Sequence, residues 1–207
     1  MMILSVGPLS DKRTTHISLP IEPCRIGVFV SGGLDSAILY YLLQLENKRM
    51  HSIHEITPLI VQRKEGSKNF ARLVVSHVNS YFNLPHDTSI YVGDNTLAEE
   101  EQVKSGVMEA YSMGFSKVYV GLIQQLPQHM VGWEPIPYNQ SERFRTPFKD
   151  YNKSHIVDLV RQYKQEALYY ITHSCSAHEL GRCNNCNGCN ERTWGFDQLG
   201  FIDPGTI

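Results

Sequence analysis

The sequence predicts an α/β fold: a parallel sheet with helices on both faces, followed by a small carboxyl-terminal metal-binding part. Three observations predict it. Short apolar runs at 26–30, 53–61, 89–92 and 117–121 alternate with helical runs, the pattern of a sheet built from strand–helix–strand units. The first strand passes into its helix through Ser31-Gly32-Gly33, a turn that needs no bulky side chain. Four of the five cysteines, Cys175, Cys183, Cys186 and Cys189, crowd near the end of the chain.

In chain order, the apolar run Met2–Val6, a polar stretch and a second run at 17–21, bracketed by Pro20 and Pro23, predict an added hairpin or edge strand. After the strand at 26–30, Ile38, Leu39, Leu42 and Leu43 recur at helical spacing, and Asn47, Lys48 and Arg49 close the helix. Residues 53–61 read as a strand despite Pro58. Phe70, Leu73, Val74, His77, Val78, Tyr81 and Phe82 then make an amphipathic helix ended by Asn83-Leu84-Pro85. Thr96 with Glu99 reads as a capping box, and Glu99, Glu100 and Glu101 suit a first helical turn, where the dipole favours acid. That helix ends near Met113-Gly114, and Gly121, closing the next strand, leaves room for a ligand or a neighbouring backbone. His51, His54 and His77 have no partner at metal spacing and read as packing or surface residues, and Cys24 is assigned nothing.

Residues 122–147 break the rhythm with four prolines. Trp133, Tyr138, Gln124, Gln125, Gln128, Asn139 and Gln140 suit a lid that stacks on and hydrogen-bonds a planar heterocycle, though the composition equally suits a solvated loop. Should the pocket not lie there, it is expected near Gln62, Arg63 and Asn95. A helix over 152–163 follows, with Lys153 in its first turn. A cation there works against the helix dipole, so an anion is expected beside it.

Composition sets the remaining bounds. With 207 residues and 42% hydrophobic content, one core and a small appendage are expected, divided as an extension at 1–25, an α/β domain at 26–165 and a carboxyl-terminal region at 166–207. Nineteen basic against 21 acidic residues provide no field for sequence-independent nucleic-acid binding. No basic leader and no spanning apolar run occur, so a soluble cytoplasmic protein is expected, with no membrane partner.

Two places carry chemistry. At Val30-Ser31-Gly32-Gly33-Leu34-Asp35-Ser36, turn amides and the positive end of a helix dipole converge, which suits an anion. No lysine follows the glycines, unlike the common nucleoside-triphosphate loop; hydroxyls at Ser31 and Ser36 and a carboxylate at Asp35 stand instead. The bland reading is a glycine turn capped by Asp35 or Ser36. The four clustered cysteines suit a closed tetrahedral thiolate site, hence a structural zinc with no open position for water; an iron–sulfur cluster, or a ligand from His173 or His178, is the alternative.

The loop resembles that of the ATP pyrophosphatase (PP-loop) superfamily, a Rossmann-like fold of adenine nucleotide α-hydrolase type. The resemblance implies that Ser31, Gly32, Gly33, Asp35 and Ser36 hold pyrophosphate and that Asp35 helps place Mg²⁺. Taken with Arg143-Phe-Arg-Thr-Pro-Phe148, Lys153, the cysteine cluster and Arg192-Thr-Trp-Gly-Phe196 leading to Gly200-Phe-Ile-Asp-Pro204, the chain resembles the 7-cyano-7-deazaguanine synthase family, collinearly from Ile26 onward. This implies a homodimeric, ATP-dependent carbon–nitrogen ligase of queuosine biosynthesis. Such enzymes adenylate 7-carboxy-7-deazaguanine, let free ammonia displace AMP, and dehydrate the amide to a nitrile. The resemblance assigns Asp35, Ser36 and Lys153 to catalysis and Val30 to Ser36 with Lys153 to ATP. Zn²⁺ falls to Cys175, Cys183, Cys186 and Cys189.

The substrate side departs from the family. Leu59-Ile60-Val61-Gln62 stands where the family has Asp-Tyr-Gly-Gln, Asp94-Asn95 where it has Arg-Asn, and its Ser-Gly-Tyr-Pro-Asp-Cys-Arg has no counterpart in 122–142. A PP-loop ligase that adenylates and amidates another carboxylate, a modified deazaguanine or a macromolecule, is therefore the second expectation. A non-catalytic binding protein is the third, opposed by the intact loop.

Overall fold

The computed structural model describes residues 1–61, 67–86, 88–94, 96–97, 99–123 and 141–205. Strands β1 (Met2–Val6) and β2 (Arg13–Ile17) form a separate antiparallel hairpin, Met2 opposite Ile17 and Val6 opposite Arg13. The second strand lies in the polar stretch, upstream of the apolar run expected to form it. One side of this hairpin faces solvent, so β2 needs few apolar residues, and Pro20 and Pro23 keep the following run from pairing.

Strands β3 (Arg25–Phe29), β4 (Glu55–Val61), β5 (Ile90–Val92), β6 (Lys117–Tyr119) and β7 (Phe144–Arg145) form one parallel sheet in the order β5-β4-β3-β6-β7. Four of these are the strands expected; β7 is too short for a periodic signal. Pro58 is tolerated inside β4 because Leu59 turns its carbonyl to the amide of Val30, just past β3 (2.8 Å). Alternation then directs the missing Pro58 donor to the other side, where β5 begins only level with Leu59.

Side-chain alternation sorts the sheet's two faces. Ile26, Val28, Val30, Ile56, Ile60 and Tyr119 join a core with helices α1 (Leu34–Arg49), α2 (Ser67–Phe82) and α4 (Lys153–Gln162). Phe29, Leu59, Val61, Val118 and Val120 join the other, against α3 (Glu99–Ser112). Both faces are thus covered, as a parallel sheet requires. The first core also takes in Met2, Leu4, Val6, Ile17 and Leu19 from the amino-terminal segment, Leu168 and Tyr169 around α5 (Ala167–Ile171), and Phe196 of α6 (Asn187–Asp197).

Thr96 does not cap in the expected way: its amide and hydroxyl both donate to Asp94 Oδ1 (2.9 and 2.7 Å), and α3 begins at Glu99. At α4 the cap is reciprocal. Asn152 accepts from the amides of Ser154 and His155, while the His155 ring accepts from the Asn152 amide. Buried His54 is a packing residue, its Nδ1 receiving the Cys24 amide and its Nε2 facing the Pro20 carbonyl (3.0 Å). Among the described residues, no helix is long and apolar enough to cross a membrane.

Candidate active site and metal centre

β3 delivers the chain to the carboxyl edge of the sheet, where ligand crevices of open α/β sheets lie. Val30 and Leu34 are fully buried and clamp the two ends of the turn. Between them Gly32 takes the left-handed conformation (φ 86°), which a side chain would strain. Ser36 Oγ accepts from the Ser31 amide (3.1 Å) and donates to the Gly33 carbonyl (3.0 Å), locking the turn. Gly33 is the residue before α1, and no side chain among the described residues caps that helix. The first amides of α1 therefore keep their capacity for an external acceptor, and neither Asp35 nor Ser36 serves as the cap.

Gly121 settles its two expected readings in favour of backbone. A Cβ there would stand 2.9 Å from the Asp35 carbonyl and the Ser36 amide, so the segment just after β6 packs on the start of α1 by direct approach.

Lys153 reaches the same place from the first turn of α4. Its ammonium lies 2.8 and 2.7 Å from the two oxygens of Asp35 and 3.1 Å from Glu191 Oε2, with the lysine 3% exposed. These two carboxylates are the anions that its unfavourable place on the helix required. Burial drives the lysine toward neutrality, but Asp35 and Glu191 outweigh it and raise its pKa. Burial also raises Glu191 against the pull of Lys153, and Glu191 Oε1 is buried with no hydrogen-bond partner among the described residues. Gly195 makes the arrangement possible: a Cβ on that residue of α6 would stand 2.7 Å from Lys153 Cγ.

The cysteines converge as well. The sulfurs of Cys175, Cys183, Cys186 and Cys189 all lie within 4.8 Å of one another, two pairs at 4.0 Å. A tetrahedron with metal–sulfur bonds of about 2.3 Å has edges of roughly 3.8 Å, so the group fits a single ion. A four-iron cube would hold its thiolates further apart. Backbone amides of Asn185 and Cys186 donate to Cys183 Sγ, fixing the position of that sulfur. Burial opposes ionisation of Cys186, yet the Ser176 amide and other donors bring it down to about 5. Neither His173 nor His178 belongs to the group. Behind it, Arg192 and Arg182 both bind Asp203, and Arg192 also donates to Thr172, tying α6 to the segment after α5.

The family described as Queuosine biosynthesis protein QueC matches residues 98–200. A 7-cyano-7-deazaguanine synthase of Campylobacter jejuni subsp. jejuni serotype O:6 is 31% identical over 214 aligned residues, covering 84% of this chain and 94% of the relative. The chain belongs to the 7-cyano-7-deazaguanine synthase family. The family's enzyme from Campylobacter jejuni subsp. doylei is 28% identical with the same coverage. Among solved structures, the U34-tRNA thiolase NcsA from Methanococcus maripaludis with its [4Fe-4S] cluster has a TM-score of 0.50 at 12% identity, covering 90% of this chain and 69% of that one. That likeness shows a shared fold.

Set against this 7-cyano-7-deazaguanine synthase family member's sequence, the structure brings Ser31 to Ser36 together with Lys153, and the four cysteines with one another. It adds Glu191, which sequence reasoning missed. The one available signal was an acid beside Arg192 in the carboxyl-terminal motif, and nothing local ties it to a lysine of α4. Trp133, Tyr138 and the amides of the expected lid, with Gln62, Arg63 and Asn95, lie outside the described residues.

Proposed function

We propose that this family member is an ATP-dependent ligase that converts 7-carboxy-7-deazaguanine and ammonia to the amide and then to 7-cyano-7-deazaguanine. The observation that carries the reading is the meeting of the Ser31–Ser36 turn with buried Lys153 at the carboxyl edge of the sheet, 2.7 Å from Asp35. In the first step a carboxylate oxygen attacks the α-phosphorus of ATP, the bond to the β-phosphate breaks and pyrophosphate leaves. Ammonia then adds to the acyl carbon, AMP departs and one proton is lost, giving the amide. The amide oxygen then attacks the α-phosphorus of a second ATP, pyrophosphate leaves, and departure of AMP with the former amide oxygen and loss of two protons from nitrogen leave the nitrile.

In this reading the free amides of α1 with Ser31 and Ser36 hold the departing pyrophosphate, and Lys153 offsets its charge. One ammonium between two carboxylates leaves a net negative cluster, so a triphosphate needs a cation here. Asp35 is the residue to hold Mg²⁺, which supplies charge neutralisation of the phosphates. The four thiolates hold Zn²⁺ in a structural role, since they fill a tetrahedral ion completely. The altered segments at 59–62 and 94–95 favour one other reading, the same adenylation and amidation on a different carboxylate. Mass spectrometry after incubation with ATP, Mg²⁺, ammonia and 7-carboxy-7-deazaguanine tests the assignment. Amide or nitrile together with AMP is expected; AMP formation only with another carboxylate would replace the acceptor, and no AMP with any would overturn the reading.

A further inference from the structure

A cavity of about 380 Å³ opens beside the pyrophosphate turn, between the start of α2, the end of α5 and the loop leading into the cysteine cluster. Its connection to the turn is direct: the His173 amide, on its wall, donates to the Gly32 carbonyl at 2.9 Å. Its size lies within the range of roughly 300–1,000 Å³ usual for small-molecule sites. Two properties of its lining point to one class of ligand.

The first is flatness. The rings of Phe70 and His173 stack on one another with centroids 4.5 Å apart and planes 15° apart, presenting a rigid aromatic wall. Tyr170 and Leu180, 66% and 80% exposed, stand at the mouth, where solvent-facing apolar side chains suit covering a planar ligand.

The second is charge. Arg182 lines the cavity with a side chain only 4% exposed, and it shares the Asp203 carboxylate with equally buried Arg192. Arg192 spends its other donors on Thr172 and Tyr169, whereas Arg182 Nη2 is buried with no hydrogen-bond partner among the described residues. Among the described residues, two guanidiniums thus face one carboxylate. A buried, partnerless charged donor is costly, and an anion arriving from the cavity would satisfy it. Gly205 keeps that nitrogen uncovered by a side chain, since a Cβ there would stand 2.6 Å from it.

We infer that this cavity is the acceptor site: it takes a flat aromatic carboxylate, with the ring against Phe70 and His173 and the anionic end toward Arg182. The inference rests on the ligase reading, and it gives the acceptor a place on described residues, apart from the segment 122–142. ATP does not fit the same demand. Its charged end belongs to the turn, and its adenine carries no anion for Arg182.

Calorimetric titration with 7-carboxy-7-deazaguanine, indole-3-carboxylate and ATP on the parent, Arg182→Met and Leu180→Trp tests it. Leu180→Trp alters only an exposed rim residue, so it remains informative should Arg182→Met lose structure; melting curves accompany both. Carboxylate affinity reduced on the order of tenfold or more in Leu180→Trp, with the parent's melting temperature retained, supports the site. Deazaguanine carboxylate binding unchanged in both variants overturns the site and leaves the ligase reading standing. Binding of indole-3-carboxylate alone, lost in the variants, supports a carboxylate cavity while removing the deazaguanine acceptor. A parent that binds neither carboxylate, or variants that weaken only ATP, overturns the inference.

Discussion

Lys153 concentrates the residue-scale physics, because a buried ammonium is held charged by two carboxylates from elements far apart in sequence. Lys153→Met should abolish adenylation and also destabilise the protein by about 3–5 kcal/mol, since breaking a buried pair strands the remaining charges. Adding Glu191→Leu should recover much of that stability in urea denaturation, with activity still absent. Activity returning with the stability would show that the lysine serves only the fold. A second buried group gives a pH dependence. Burial lowers the pKa of His155, against the opposing pull of the Asp11 carbonyl, at 2.8 Å from its Nε2. The unfolded chain therefore binds this proton more readily than the native one. The contribution of His155 is complete above the ordinary histidine pKa and declines as pH falls from there toward the depressed native value. The urea midpoint should drop between pH 7 and pH 5, and drop less in His155→Gln; equal drops would assign the effect to other groups.

At the element scale, two glycines act as spacers for the site. Gly195 lets α6 lie on Lys153 and Gly121 lets the segment after β6 reach the start of α1, each with no space for a methyl group. Gly195→Ala meets a side chain enclosed on all sides, so a loss of about 1–3 kcal/mol is expected from overpacking. Gly121→Ala meets backbone, which yields less, so weakened ATP binding should accompany its loss of stability. Retention of parental affinity in a less stable Gly121→Ala protein would show the turn to be insensitive to β6. The cysteine cluster sets the register of α6, whose first turn contains Cys189. Freshly purified protein should contain about one zinc per chain by elemental analysis, and Cys186→Ser should lower solubility and melting temperature. Iron in its place, or no metal at all, would reject the zinc assignment. These elements differ in how openly the sequence displays them. The turn after β3 is legible because strand, glycines and helix are contiguous. Helix α6 is not, because Asn187, Gly188, Cys189 and Asn190 are poor helix formers and its stability comes from packing on α4.

At the scale of the whole molecule, alternation of strand and helix was enough to predict a parallel sheet covered on both faces, since each element's buried stripe is a local property. The contacts that join distant segments were not legible in the same way. Glu191 on Lys153, Arg182 beside the cavity and the β1–β2 hairpin on α4 depend on chain crossings that no periodicity records. The hairpin shows the consequence most clearly. Gly7 donates to Asp158 (2.9 Å), Thr15 to the Pro147 carbonyl (2.6 Å) and Tyr151 to the Leu4 carbonyl (3.1 Å), while Met2, Leu4, Val6, Ile17 and Leu19 are buried with residues of α1 and α4. Burial of each such apolar side chain is worth about 1.5–3 kcal/mol, so their sum reaches the whole stability of a typical domain, about 5–15 kcal/mol. The hairpin also holds α4 by its first turn, through His155 and Asp11, immediately beside Lys153. Deletion of residues 1–24 should therefore yield insoluble or unfolded protein, rather than an active α/β domain without its extension. Point substitution separates packing from the hydrogen bonds: Leu4→Ala should cost about 2–5 kcal/mol, whereas Thr15→Ala should cost about 1 kcal/mol. A soluble truncation with a cooperative melt and parental ATP turnover would show that the α/β domain supports its own core and positions Lys153 unaided.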